Sequence, residues 1–375
     1  MKFSKILVGL LIAATSTIYA QDKEISLEEI YDGSFRQEYL QSLQSLDNGK
    51  EYVVLNRDRN ANTSSIDVYS YKSGEKVRSL LNSKDLSEIS GFQGFELSEN
   101  EDKILLSTNM EQIYRRSSRG IYYIYDVEGK TLTKLSDNKV QEPTFSPDAS
   151  KVAYVFENNI YTYDIASGEE TQVTTDGEKN KLINGVTDWV YEEEFAFVRA
   201  FDWNKTGTHL AYLKFDETEV PEFSMDIFGQ DLYPSQQVFK YPKAGETNSE
   251  VSLYTYELAA KESEKVELGD YEDFYIPRIK WTQDPEILSV QVLNRHQNNL
   301  DLIFVDAEDN EAEVVMNETD EAYIDITNNL TFLEDNSFIW TSEKAGWNHI
   351  YLYDEDGELE KQVTEGKWEV TEYYG

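Results

Sequence analysis

The stretch "PTFSPDASKVAYVFENNIYTYDIASGEETQVTTDG", residues 143–177, limits the fold more than any other feature. It reads as strand, polar turn, strand, turn, strand, turn, strand. Apolar and polar residues alternate in "KVAYVF" and "NIYTYDI", the period of a strand with two distinct faces. The turns "SPDAS", "ENN" and "ASGEE" separate the strands. The unit is therefore a four-stranded antiparallel sheet. Alone it cannot bury both faces, so such units must stack on one another.

The plan recurs. "IYYIYDVEGKTLTKLSDN" from Ile121 matches its second half, "FDWNKTGTHLAYLKF" from Phe201 its first half, and "VSLYTYELAAKESEKVEL" from Val251 its second half again. Longer units begin at Ile279 and Leu330, and a looser one covers residues 43–81. The repeat is roughly 50 residues, in the range of propeller blades. About six units fit, which predicts an all-β propeller of four-stranded antiparallel blades. The recurrent aromatics, among them 26 tyrosines, are expected to fill the space between blades.

Composition narrows the partners. The formal net charge is −38 over 375 residues. The excess of acid argues against nucleic acid and anionic membrane surfaces as partners, because it leaves the repulsion of phosphate unopposed. No cysteine occurs, so disulfides, thiolate metal sites and a thiol nucleophile are excluded. Lys2 and Lys5, the apolar run 6–14 and Ala20 before Gln21 read as an export signal over residues 1–20. That run is too short to span a bilayer as an anchor, and no later segment approaches spanning length. The expected location is periplasmic or secreted. Residues 21–42 form an N-terminal segment and residues 43–375 the propeller.

Two places break the repeat. In "DGEKNKLINGVTDWVYEEEFAF" a short helix is predicted between strands, started by Thr187 or Asp188. The second break, residues 216–250, is a long excursion with Pro221, Pro234 and Pro242. Unstructured loops of this length are usually functional or make contacts. Near the end, residues 367–374 read as the opening of another strand.

Chemistry is sparse outside the first break. There is no G-x-S-x-G elbow, no phosphate-cradling glycine loop and no histidine–carboxylate spacing of a metal site. His209 and His349 fall within strand patterns, where a structural role is expected. No cofactor or metal is expected. The run Glu192, Glu193, Glu194 is different, for two adjacent carboxylates can converge on one small cation such as a peptide α-ammonium. The competing reading is a solvated acidic helix face.

At this point several motifs, in order, resemble one family. "NGVTDWVYEEEF", "YRRSSRGIYYIYD", "HLAYLKFDETEVPEF", "YPKAGETN" and "LNRHQNNLDL" are similar to the dipeptidyl peptidase IV family of serine peptidases. The resemblance spans most of residues 95–370. It implies an eight-bladed propeller, of which about five to six blades are present, followed by an α/β-hydrolase domain. It implies release of X-Pro or X-Ala dipeptides from peptide N-termini. Glu193 and Glu194 would bind the substrate α-ammonium, Arg115 a backbone carbonyl while bracing the glutamates, and Tyr323 would line the outer pocket. The excursion 216–250 resembles a dimerisation arm. The family's catalytic residues lie in the hydrolase domain. This chain is expected to end before that domain and to be inactive alone, with no catalytic residue of its own. Two alternatives stay open: a stand-alone propeller that binds peptides or proteins, and a prolyl tripeptidyl peptidase relative.

Overall fold

The computed structural model describes residues 25–37, 43–58 and 61–374. The expected export signal at 1–20 lies outside the described residues. Residues 25–37 belong to a separate small unit. It holds helix α1 (Leu27–Tyr31), started by a capping box in which Ser26 Oγ accepts from the Glu29 N–H.

The remainder is a β-propeller. Among the described residues, six sheets of four or more strands follow one another along the chain, over residues 44–82, 94–134, 141–172, 182–265, 274–319 and 331–362. Five are four-stranded antiparallel meanders, and the fourth has a fifth short strand. The sequence units map onto these sheets.

Alternation explains the stacking. On the strand Lys103–Gln112, Ile104 and Leu106 pack with Val53 and Ile66 of the first sheet, whereas Leu105 packs with Val152 and Tyr154 of the third. On Lys151–Phe156, Val152 and Tyr154 face the second sheet, while Ala153 and Val155 join the core that continues through the fourth, fifth and sixth. Each strand thus contributes alternate side chains to two inter-sheet cores. The "SPDAS" turn is closed by Asp148, whose Oδ1 accepts from Ser146 Oγ at 2.6 Å and the Ser150 N–H at 3.0 Å.

The first strands of successive sheets converge. Glu96, Glu142, Arg199, Asp202 and Lys280 belong to or flank the first strands of the second to fifth sheets. Burial among protein atoms pushes the carboxyls of Glu96, Glu142 and Asp202 upward, and the Arg199 guanidinium opposes that shift in all three. Register fixes which loops share a rim. Gly94 pairs Ser107, Leu182 pairs Asp216 and Phe274 pairs Asn294. The loops that follow those second strands therefore lie where the first strands begin. The 113–117 loop, the excursion after Asp216 and the Arg295 turn all emerge at that rim.

Two expectations need correction. The excursion is not without regular structure: strands Glu222–Ile227 and Ser235–Lys240 pair as an antiparallel hairpin. Residues 367–374 form no strand. A strand exists only in a ladder, and the pairing made here is local to Val370, whose N–H donates to the Asn348 carbonyl at 2.8 Å while Asn348 Nδ2 donates back to the Val370 carbonyl.

Candidate functional site

The predicted inserted helix is present as α2 (Trp189–Glu194). It interrupts the first strand of the fourth sheet, because Leu182–Asn184 and Phe201–Trp203 both pair with His209–Asp216. Between them residues 185–200 loop out from a sealed neck. The Gly185 N–H donates to the Leu213 carbonyl at 3.0 Å, the Leu213 N–H to Ala200 at 2.8 Å, and the Ala200 N–H to Gly185 at 2.9 Å. Gly185 sits at φ +77°, and a Cβ there would lie 2.6 Å from Ile160 Cγ1. Only glycine fits this crossing.

Of the two predicted caps, Asp188 is the one used: its Oδ1 accepts from the Tyr191 N–H at 2.9 Å. Its other oxygen accepts from Ser249 Oγ at 2.5 Å. Complete burial raises the Asp188 carboxyl above its usual range, against those bonds. Asp188, Tyr191, Glu192 and Phe195 form the inward stripe of α2, each 5 % exposed or less. Tyr191 packs edge-on to Phe215 and Tyr275, and its hydroxyl accepts from the Ile276 N–H at 3.1 Å. The helix is thereby held by both the fourth and the fifth sheets.

The three glutamates occupy three environments. One oxygen of Glu192, Oε1, accepts from the N–H groups of Arg116 at 2.6 Å and Ser117 at 2.9 Å. Successive N–H groups of this kind form an anion-binding nest. Arg116 Nε donates back to the Glu192 carbonyl at 3.2 Å. Glu193 is half-buried and pairs with Arg115, whose Nε lies 3.1 Å from Oε1 and 2.9 Å from Oε2. Both terminal nitrogens of Arg115 are left without a protein partner among the described residues, and its side chain is 72 % exposed. Glu194 is exposed, and its side chain makes no hydrogen bond or ion pair with any described residue.

Tyr323 lies in the connection between the fifth and sixth sheets and is exposed. Partial burial raises its phenol, and the charges of Asp325 and Glu194 add to that shift, so it shares the field of the glutamate helix. Tyr114, beside Arg115, is pushed up to about 12, first by burial and then by Glu217, Glu192 and Asp188. The structure thus brings together Arg115, Glu193 and Glu194, with Tyr323 at their electrostatic edge.

Sequence reasoning set Glu193 and Glu194 apart from Glu192 only through the family resemblance, and gave Glu192 no role of its own. A signal was available: Asp188, Tyr191, Glu192 and Phe195 stand at helical positions i, i+3, i+4 and i+7, the spacing of a buried stripe. Nothing in the sequence marked Ser249, 61 positions from Asp188, as the partner of the cap.

Chemically, the arrangement presents a half-buried carboxylate held by a guanidinium with free donors, and an exposed, unpartnered carboxylate next in sequence. A sequence model of the dipeptidyl peptidase IV (DPP IV) N-terminal region matches residues 98–375. Dipeptidyl aminopeptidase B of Saccharomyces cerevisiae is 32 % identical over 285 residues, covering 72 % of this chain and 35 % of the yeast protein. The prolyl endopeptidase FAP of Homo sapiens is 28 % identical over 370 residues, 92 % of this chain and 47 % of the human protein. The crystal structure of Porphyromonas gingivalis dipeptidyl peptidase 4 matches with a TM-score of 0.88 at 39 % identity, covering 94 % of this chain and 51 % of that one. The chain spans about half the length, or less, of these relatives. Motif order, blade architecture and these matches converge: the chain belongs to the family of dipeptidyl peptidase IV N-terminal regions.

Proposed function

We propose that this chain is the substrate-selecting propeller of an exported serine-type dipeptidyl aminopeptidase, which releases X-Pro or X-Ala dipeptides from peptide N-termini. Glu193 and Glu194 take the α-ammonium, the free terminal nitrogens of Arg115 take a backbone carbonyl, and Tyr323 borders the outer pocket. The observation that carries this reading is the Arg115–Glu193 contact at 2.9 Å with the unpartnered Glu194 next in sequence. An ammonium carries three donors and one positive charge, so it satisfies Glu194 and shares Glu193 with the arginine. Anchoring the amine fixes how many residues reach a reacting bond, which is positioning and not chemistry. Hydrolysis in this proposal belongs to an α/β-hydrolase domain outside these residues, whose contact with the propeller makes it a partner.

The test compares peptides with free and acetylated amino termini on the purified protein, by calorimetric titration. Glu193→Gln and Glu194→Gln are each expected to weaken the free-amine peptide about 10²-fold, the scale of removing one partner of a charged hydrogen-bonded pair, and to leave the acetylated peptide unchanged. Equal affinity of both peptides for the parent protein sinks the reading. On a protein that joins this propeller to its hydrolase domain, Gly-Pro and Ala-Ala-Pro chromogenic substrates separate the dipeptidyl from the tripeptidyl version.

The hairpin 222–240 supports a homodimer. Phe228, Leu232 and Tyr233 at its tip are each 80 % exposed or more, which is apolar area that a second copy would cover. Light scattering of the triple Ser variant is expected to give a monomer. Export rests on residues 1–20, and mature protein beginning at Gln21 is the expected result of N-terminal sequencing. Among the described residues no helix is long and apolar enough to cross a membrane.

A further inference from the structure

The geometry points to Glu192 as a positioning residue, which clasps α2 to the 113–117 loop and so sets Arg115 and Glu193 against each other. This rests on the amine-binding reading above. The clasp is reciprocal. The Glu192 side chain reaches two loop N–H groups, and the Arg116 side chain reaches the Glu192 backbone carbonyl. Its two halves lie next in sequence to the two functional residues: Arg116 follows Arg115, and Glu192 precedes Glu193.

The loop itself is tight. The Ile113 N–H donates to the Ser117 carbonyl at 2.9 Å, and the Tyr114 N–H donates to Ser117 Oγ at 3.1 Å. Arg115 therefore rides on a short, internally bonded turn whose attachment to α2 is the Glu192 carboxylate. Arg115 is largely exposed, and exposed ion pairs do not fix geometry by themselves. The order of that pair must come from what lies behind it. At 1 % exposure, Glu192 is the buried carboxylate of the junction, and it makes contacts with loop residues 75 and 76 positions away. Its place in the inward stripe, beside Tyr191, keeps it from the solvent side where Glu193 and Glu194 act.

The test uses the purified protein and the series Glu192→Gln and Glu192→Met. Gln keeps the accepting oxygen and loses the charge, while Met keeps the length and loses the acceptor. The readout is the ratio of affinities for free-amine and acetylated peptide, measured well below each variant's melting temperature. The clasp predicts a graded loss of that ratio, about 3–10-fold for Gln and 30–100-fold for Met, in line with the roughly 10²-fold cost of displacing a positioned group by about 1 Å. A merely structural role would lower the melting temperature and leave the ratio unchanged, which overturns the inference. Arg116→Met, which breaks only the return bond, is expected to show the same loss in milder form, and keeps the test open if Glu192→Met does not fold. A parent protein that does not distinguish the two peptides defeats the amine-binding reading, whereas a discriminating parent with an unchanged Gln and Met series defeats the clasp alone.

Discussion

Glu192, Glu193 and Glu194 differ in burial and partners because successive helical residues are turned by about 100°. The charge problem they pose is solved by orientation: one carboxylate goes to backbone N–H groups, one to Arg115 and one to water. A second carboxylate problem sits behind the helix. Glu217 is 6 % exposed, and burial first, then the nearby Asp188 and Asp216, lift it from 4.5 to about 7, against the pull of Lys240. The unfolded chain releases this proton near 4.5 and the folded chain keeps it to about 7. Across that window the folded state binds more protons, so the contribution of Glu217 to stability falls as pH rises. At about 1.4 kcal/mol per unit, the loss is on the order of a few kcal/mol. Glu217→Gln stays neutral throughout. Urea denaturation is expected to show variant and parent alike near the low end of the window and the variant increasingly more stable toward neutrality. Parallel curves would remove the assignment. None of this was legible in the sequence, where Glu217 is one acid in "DETE". Its partners are supplied by tertiary packing of α2 and the root of the hairpin.

Among the elements, the repeated strands and α2 were legible because their signals are local: alternation, polar turns, and a break in the repeat with a capping residue at Thr187 or Asp188. The hairpin was not. Pro221, Pro234 and Pro242 read as breakers, yet two of them immediately precede the strands Glu222–Ile227 and Ser235–Lys240, and the third follows shortly after. Proline is tolerated at strand starts and flanks, so here it marks ends and not absence. Residues 367–374 failed in the opposite way, since a strand-like pattern means nothing without a ladder partner. The neck of the α2 insertion was also invisible, although one glycine makes it possible. Gly185→Ala must accept both φ +77° and a contact of 2.6 Å with Ile160. We expect it to cost roughly 2–4 kcal/mol, combining left-handed strain with overpacking. Gly74→Ala is the control: φ is +69° but nothing lies within 4 Å, so strain alone, about 1 kcal/mol, is expected. Equal destabilisation of the two variants in thermal melts would show that the close approach to Ile160 is not what selects glycine.

For the whole molecule, the apolar cores between sheets oppose the repulsion of a chain with net charge −38. On the proposed function, the same charge that strains the folded state is also expected to draw a cationic peptide terminus toward the rim where Glu193 and Glu194 sit. Salt acts on the two effects in opposite directions. Raising ionic strength from 0.01 to 1 M shortens the screening length from about 30 to about 3 Å. Self-repulsion between distant carboxylates then fades, so the melting temperature is expected to rise. Long-range attraction fades as well, so the association rate of a free-amine peptide is expected to fall. The short-range contacts with Glu193 and Glu194, made at hydrogen-bond distance, are screened far less, so the dissociation rate is expected to change little. Calorimetric melts and stopped-flow binding on one salt series check all three. Both peptides are C-terminally amidated and otherwise uncharged, so the acetylated one serves as reference: it has no terminal charge to steer, and its association is expected to be insensitive to salt. If the free-amine peptide behaves like the acetylated one, acidity in this protein serves solubility alone. If its association slows selectively, the excess of acidic side chains is part of how the propeller gathers its ligand.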